Sequence, residues 1–202
     1  MKDKKHWYDG RFYDKLIAPN QDKIFSQIKD IIHPQCNVVD VGCGTGRLAY
    51  KLSDHCNEII GVDLSSKNIS VALEKKSINH GNINFIHGDI KVISKKLSAR
   101  VDYSILTYVI HEMPEEERIY LLKDLKSISD KIIVGDYLVP TPKSFWGSIN
   151  IIVEYLAGSD HFNNFKNYVK NGGINYLAKE ANLKIIREVK NKPQTAHLVV
   201  LE

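Results

Sequence analysis

The sequence predicts a doubly wound α/β fold, with helices packed on both faces of a mostly parallel sheet. Three observations carry this prediction. Residues 38–41 are a short β-branched run that feeds the turn Gly42-Cys43-Gly44-Thr45-Gly46, followed by Leu48, Ala49 and Leu52 at helical spacing. Apolar strand patterns and helical patterns then alternate along the chain. The C-terminal end carries two strand patterns, 183–189 and 195–201, joined by a turn containing Pro193, which reads as an antiparallel pair.

The elements follow in order. Residues 6–16 are rich in aromatics (His6, Trp7, Tyr8, Phe12, Tyr13), more than a surface tail needs. Ile24, Phe25, Ile28, Ile31 and Ile32 mark an amphipathic helix that ends before Pro34. A second strand, 58–62, ends at Asp63, and a helix occupies 66–77. A third strand, 83–86, leads into His87-Gly88-Asp89-Ile90, and a fourth, 101–107, into Tyr108-Val109-Ile110-His111. Glu115, Glu116 and Glu117 suit the first turn of the next helix, where negative charge complements the helix dipole, and Leu121, Leu122 and Leu125 give its buried face. A fifth strand, 131–134, opens into Gly135-Asp136-Tyr137. Between Pro140 and about residue 171 lies an insertion. Its segment from Phe145 to Leu156 is apolar on nearly every side, so it must be buried, cover a pocket or meet a partner. Phe162, Phe165 and Tyr168 share a second helical face there, with His161 preceding it, and 174–181 form the last helix.

At 202 residues the chain is read as a single domain, 1–202, with an N-terminal cap over 1–33 and a lid-like helical insertion over about 140–171. Apolar content of 43% and charged content of 26% are ordinary for a globular protein. No apolar run is long enough to span a bilayer, and no cleavable signal pattern opens the chain. Three cysteines, odd in number and without ligand spacing, read as free thiols of a cytoplasmic protein. The net charge of +4 comes from scattered lysines, so neither a membrane nor nucleic acid is an expected partner.

With Asp40 leading it, the Gly42-Cys43-Gly44-Thr45-Gly46 turn resembles motif I of the class I S-adenosylmethionine-dependent methyltransferases. The segment Leu106-Thr107-Tyr108-Val109-Ile110-His111-Glu112-Met113-Pro114 looks like motif IV of their small-molecule branch, similar to the C-methyltransferases of quinone biosynthesis. The resemblance implies a Rossmann-like sheet of seven strands, mostly parallel with an antiparallel C-terminal strand. It implies S-adenosylmethionine as cofactor and methyl transfer by in-line displacement to a small, partly apolar acceptor. Asp40, Gly42, Gly44 and the backbone near Leu106 would hold the donor. Asp63, with Leu64 beside it, would take the ribose hydroxyls, and Asp89 and Ile90 the adenine. Tyr13 would close over the cofactor. Asp63 and Asp89 each have a plainer reading as helix N-caps.

His111, placed after the fourth strand, is the candidate general base, because an imidazole titrating near neutrality suits a phenol, thiol or activated carbon acid. Its plainer reading is a pocket wall or a helix-start histidine pairing with Glu112 or Glu115. Tyr108, Tyr137 and His161 are candidates for the acceptor pocket. No metal is expected, since His111, His161 and Asp136 lack ligand spacing. Two alternatives stand beside the enzyme reading. One is a donor-binding regulatory or interaction module, with the Phe145–Leu156 stretch as a homodimer face; the other is an RNA methyltransferase.

Overall fold

The computed structural model describes residues 21–192 and 194–202. Tyr13, and with it most of the expected N-terminal cap, lies outside the described residues. Seven strands hydrogen-bond in the order β3-β2-β1-β4-β5-β7-β6. Their bounds are Asn37–Val41 (β1), Glu58–Asp63 (β2), Ile83–His87 (β3), Val101–Thr107 (β4), Ser129–Tyr137 (β5), Ile185–Lys190 (β6) and Ala196–Leu201 (β7). The sequence order reverses at β1 and β4, which is the doubly wound pattern. β1 pairs parallel with β2, and β2 with β3, whereas β7 runs antiparallel to both β5 and β6. All six residues of β7 are buried. That includes His197, the polar interruption of its apolar run, whose Nδ1 lies 2.8 Å from Glu188 Oε1.

The chain resolves into two compact units. One holds the part up to Ile105 together with Ile128–Asp130; the other holds Leu106–Ser127 and Lys131–Glu202. The first contains helices α1 (Asp22–Ile31), α2 (Arg47–Leu52), α3 (Ser66–Lys75) and α4 (Ile90–Ser94). Its core is the aliphatic set that the strand patterns pick out: Val38, Val39, Leu48, Leu52, Ile59 and Ile83 are all essentially sealed from solvent. Each such side chain contributes about 1.5–3 kcal/mol relative to exposure. Burial on both faces is why these strands read as continuous apolar runs rather than alternating ones.

The second unit contains α5 (Glu115–Ile128), α6 (Phe145–Ala157), α7 (Ser159–Asn171) and α8 (Gly173–Glu180). In α7 the buried positions His161, Phe165 and Tyr168 form one stripe at helical spacing. α6 behaves differently from an ordinary core helix. Phe145, Trp146, Ile151, Ile152, Val153, Tyr155 and Leu156 are exposed, while Gly147 and Glu154 are the buried positions. The apolar sequence therefore clothes the outside of this helix, and its one acid faces inward.

Candidate active site

In the first unit the glycine turn is locked onto β2. Gly42 N and Cys43 N both donate to Val62 O, at 2.8 and 3.1 Å. Gly42, Gly44 and Gly46 adopt φ of 71°, 54° and 77°, a region that favours glycine. At Gly46 a side chain is excluded by packing as well, because a Cβ would come within 2.5 Å of Phe85 Cζ. Asp63, at the end of β2, closes the arrangement. Its Oδ2 accepts from Gly44 N at 2.8 Å and its Oδ1 from Ser65 N at 2.7 Å. The N-cap of α3 is Ser65, whose hydroxyl oxygen accepts from Asn68 N, so the cap reading of Asp63 does not hold. Asp63 instead braces the turn, joining it to the start of the segment that leads into α3. Leu64 follows it, and its carbonyl lies 3.0 Å from His87 Nε2. Asp89 does cap α4, with Oδ1 accepting from Lys91 N and Val92 N, and Ile90 opens that helix.

Asp40 is the anomaly of this unit. It lies in β1 opposite Gly61, is sealed from solvent, and neither of its carboxylate oxygens has a hydrogen-bond partner among the described residues. Burial, reinforced by the charge of Asp63, pushes it up to about 7. An unpartnered buried carboxylate is costly, so a fold that keeps one beside a glycine-rich turn is complementary to a cationic ligand. S-adenosylmethionine, with its sulfonium and α-ammonium, fits that requirement.

The second unit gathers the remaining candidates. Leu106 is buried in β4, and Tyr108 follows with φ of 55°, held by its N–H donating to Gly135 O at 2.8 Å. A non-glycine residue in this region is uncommon and tends to occur at functional sites. Tyr108 packs edge-on to Tyr137 at 5.6 Å between ring centroids. His111 packs against Tyr137 at 4.8 Å and against His161 at 5.6 Å. Four of the residues singled out in the sequence, spread over the 53 positions from Tyr108 to His161, thus meet in one aromatic cluster.

The polar contacts of that cluster differ from those expected. His111 Nδ1 lies 2.7 Å from Asp136 Oδ1, and His111 Nε2 lies 3.5 Å from Glu154 Oε2. His161 Nδ1 lies 2.9 Å from the same Glu154 Oε2, and His161 Nε2 lies 3.1 Å from Glu112 Oε1. Tyr137 donates its hydroxyl to Glu154 Oε1 at 2.6 Å. Burial opposes a charge on His111, but Asp136 and Glu154 outweigh it and raise the imidazole well above its usual range. His161, opposed by burial and favoured by Glu112 and Glu154, is raised to about 9. Although burial acts to raise Glu154, its histidine partners hold it below the usual carboxylate range. His111 is therefore not the free, near-neutral imidazole that its position suggested, and its partners are Asp136 and Glu154 rather than Glu112 or Glu115. Glu115 accepts instead from Asn167, Asn171 and Tyr176.

Glu154 was missed by sequence reasoning. The available signal was its isolation, as the one charged residue of Phe145–Ala157. Arg118 was missed as well. It is 1% exposed, and its guanidinium donates to Asn167 Oδ1, Asn164 O and His111 O at 2.9, 2.6 and 3.3 Å. Asn164 in turn donates to Glu112 O at 2.8 Å. These bonds tie the Ile110–Glu112 turn to α7 and set His161 against His111.

Comparison with known proteins agrees with this geometry. The profile of the family described as "Methyltransferase domain" matches residues 32–198. Ribosomal RNA small subunit methyltransferase A of Listeria welshimeri is 24% identical over 176 residues, covering 75% of this chain and 57% of that protein. Ubiquinone biosynthesis O-methyltransferase of Coxiella burnetii is 29% identical over 114 residues, covering 56% of this chain and 44% of that protein. This chain thus spans about half the length of the curated relatives it matches. Magnesium protoporphyrin IX methyltransferase from Synechocystis PCC 6803, solved with bound SAM, shares the fold with a TM-score of 0.62 at 20% identity over 95% of this chain and 83% of that one. A SAM-dependent methyltransferase from Aquifex aeolicus does so with a TM-score of 0.63 at 16% identity over 93% and 95%. No helix among the described residues is long and apolar enough to cross a membrane, and Cys36, Cys43 and Cys56 are free and buried. The glycine turn, the unpartnered Asp40, the strand order and the family match agree: this chain belongs to the methyltransferase-domain family.

Proposed function

We propose that this chain transfers a methyl group from S-adenosylmethionine to a small, partly apolar acceptor. The observation that carries the reading is the buried, unpartnered Asp40 carboxylate beside the Gly42–Gly46 turn. When bound, the donor supplies a methyl group already activated on a sulfonium. What the chain's own residues do is bind, orient, exclude water and handle a proton. Asp40 pairs with the donor's α-ammonium, and Gly42 and Gly44 let its backbone come close. Asp63, a planar carboxylate at the end of β2, accepts from the ribose hydroxyls. Asp89, Ile90 and Leu64 complete the donor contacts within the first unit. Tyr108, Tyr137, His111 and His161 form the acceptor side, and the aromatic rings among them are what favours an apolar component in the acceptor. His111 serves there through its pairing with Asp136 and Glu154, not as an isolated base.

Calorimetric titration with S-adenosylhomocysteine tests the donor half. Micromolar binding is expected, weakened about 30-fold or more in Asp63→Ala, which removes acceptors for charge-assisted hydrogen bonds. Absence of binding to the unsubstituted chain overturns the reading. With binding in hand, a screen of phenols, thiols and enols for methylated product identifies the acceptor.

The exposed apolar side of α6 supports a second element of the reading, a homodimer through that face. Light scattering of the unsubstituted chain is expected to give twice the monomer mass, and Trp146→Asp to give the monomer. A monomer in both leaves α6 as a cover over the acceptor instead.

A further inference from the structure

We propose that His111, His161 and Glu154 form a binding site for a divalent transition-metal cation, held by two imidazole nitrogens and one carboxylate oxygen. The three side chains are buried, and each offers one donor atom within 4.8 Å of the others. Glu154 Oε2 is the point of convergence, 2.9 Å from His161 Nδ1 and 3.5 Å from His111 Nε2. Separations of this size are what metal–ligand bonds of about 2.0–2.2 Å produce around one ion. Oε2 is buried, yet among the described residues it receives no aligned hydrogen bond. A carboxylate oxygen with two imidazoles at contact distance and no aligned N–H is disposed for coordination rather than for hydrogen bonding.

The arrangement behind the three donors carries the argument further. Each ligand is held on its far side by a group of its own. Asp136 Oδ1 sits on His111 Nδ1 at 2.7 Å, and Glu112 Oε1 on His161 Nε2 at 3.1 Å. Tyr137 Oη sits on Glu154 Oε1 at 2.6 Å. A carboxylate on one imidazole nitrogen fixes the tautomer so that the other nitrogen presents its lone pair, and metal-binding histidines are oriented in this way. Here that relation occurs on both histidines, with the other nitrogen of each within 3.5 Å of one oxygen. A plain ion-pair cluster requires no such convergence. The sequence reading expected no metal, having weighed Asp136 with the two histidines; the geometry puts Asp136 one step back, and Glu154 in its place.

The donor set indicates the cation. Two imidazoles and one carboxylate suit Zn²⁺, Fe²⁺ or Co²⁺, whereas Mg²⁺ and Ca²⁺ are bound through oxygen. Three protein ligands leave coordination positions open, as in catalytic rather than structural sites. An acceptor hydroxyl, enol or thiol binding there would be acidified and fixed in place. That last step rests on the methyl-transfer reading; binding of the cation does not.

The test uses the full chain, treated with a chelator and titrated with Co²⁺ while its visible d–d absorption is followed, then competed with Zn²⁺. Saturation at one Co²⁺ per chain is expected, with the spectrum lost on adding Zn²⁺. Glu154→Gln and His161→Ala are expected to weaken binding at least about 100-fold, and Glu112→Gln about 10-fold, the size typical of an outer hydrogen-bond partner. S-adenosylhomocysteine affinity, measured on the same samples, reports on the fold and the donor site separately. Cobalt binding with these losses supports the metal site whether or not the nucleoside binds. Nucleoside binding without a cobalt spectrum, or zinc binding unchanged by all three substitutions, overturns the site and leaves the transfer reading standing.

Discussion

Asp40→Asn is expected to make the ligand-free protein more stable and the donor bind worse. The ordinary value for this carboxyl is 3.8, and burial with the neighbouring Asp63 charge raises it to about 7 in the folded chain. Between those values the folded state holds a proton that the unfolded state has released, so stability falls as pH rises from about 4 to 7 and then stays level. The full penalty above pH 7 is on the order of 4 kcal/mol, and at pH 5 it is about 1–2 kcal/mol. Asn is nearly isosteric with the protonated acid and carries no charge to desolvate. At pH 8 the variant therefore gains up to about 4 kcal/mol, which for a chain of this length raises the melting temperature by roughly 10 °C. At pH 5 the gain shrinks by more than half. Donor affinity moves the other way, because the α-ammonium loses its charged acceptor, and about a 10- to 100-fold weakening is expected. In the unsubstituted chain that affinity should climb with pH up to about 7 and level off, whereas in Asp40→Asn this climb disappears. Melting curves at pH 5 and pH 8, with S-adenosylhomocysteine titrations at each, check the pair. A variant that is destabilised at pH 8, or binds the nucleoside unchanged, contradicts the role given to Asp40. Such a trade of stability for function is common where a site keeps a group that the fold alone would discard.

How far the sequence leads depends on whether a residue's role is local. The Gly42–Gly46 turn is legible because positive φ at alternate positions is a local demand that glycine meets without strain. The strand positions show in continuous apolar runs, that of β7 among them, while their order in the sheet was implied only by the family resemblance. His111, Tyr108, Tyr137 and His161 were legible as chemistry-bearing types after strand ends or beside a helix start, but their partners were not. Glu154 lies 43 positions from His111 and on a helix whose apolar surface faces outward, the reverse of the usual arrangement. Periodicity assumes that the polar edge of a helix meets water. In α6 that assumption fails, so the buried acid could be found only once α7 and the Ile110–Glu112 turn were in place. Arg118 escaped for a similar reason. Its acceptors are backbone carbonyls and an amide oxygen, which no residue pattern announces.

Arg118→Lys should expose that hidden dependence most clearly. The guanidinium makes three bonds in a fixed fork, to Asn167 Oδ1, Asn164 O and His111 O, and lies over the Tyr168 ring at 5.5 Å from its centroid. Lysine keeps the charge but is a single compact donor group on a flexible stem, so it cannot hold acceptors on α7 and on the Ile110–Glu112 turn together. Two buried carbonyls then compete for one ammonium, and the space left by the planar group goes unfilled. A loss of about 2–4 kcal/mol is expected, read as a fall in melting temperature of roughly 5–15 °C. The functional consequence follows from what the fork aligns. His111 O and Asn164 O belong to the two segments that present His111 and His161 to Glu154. With their spacing relaxed, cobalt affinity should fall about 10-fold or more even at temperatures where the variant is fully folded. S-adenosylhomocysteine binding, which the proposed function assigns to the glycine turn, Asp40, Asp63 and Asp89, should change by no more than about two-fold, as for sites with no shared partners. A variant that melts like the unsubstituted chain would mean that the fork is not what ties the turn to α7. One that loses stability yet keeps full cobalt affinity would mean that His111 and His161 are aligned by their own carboxylates alone.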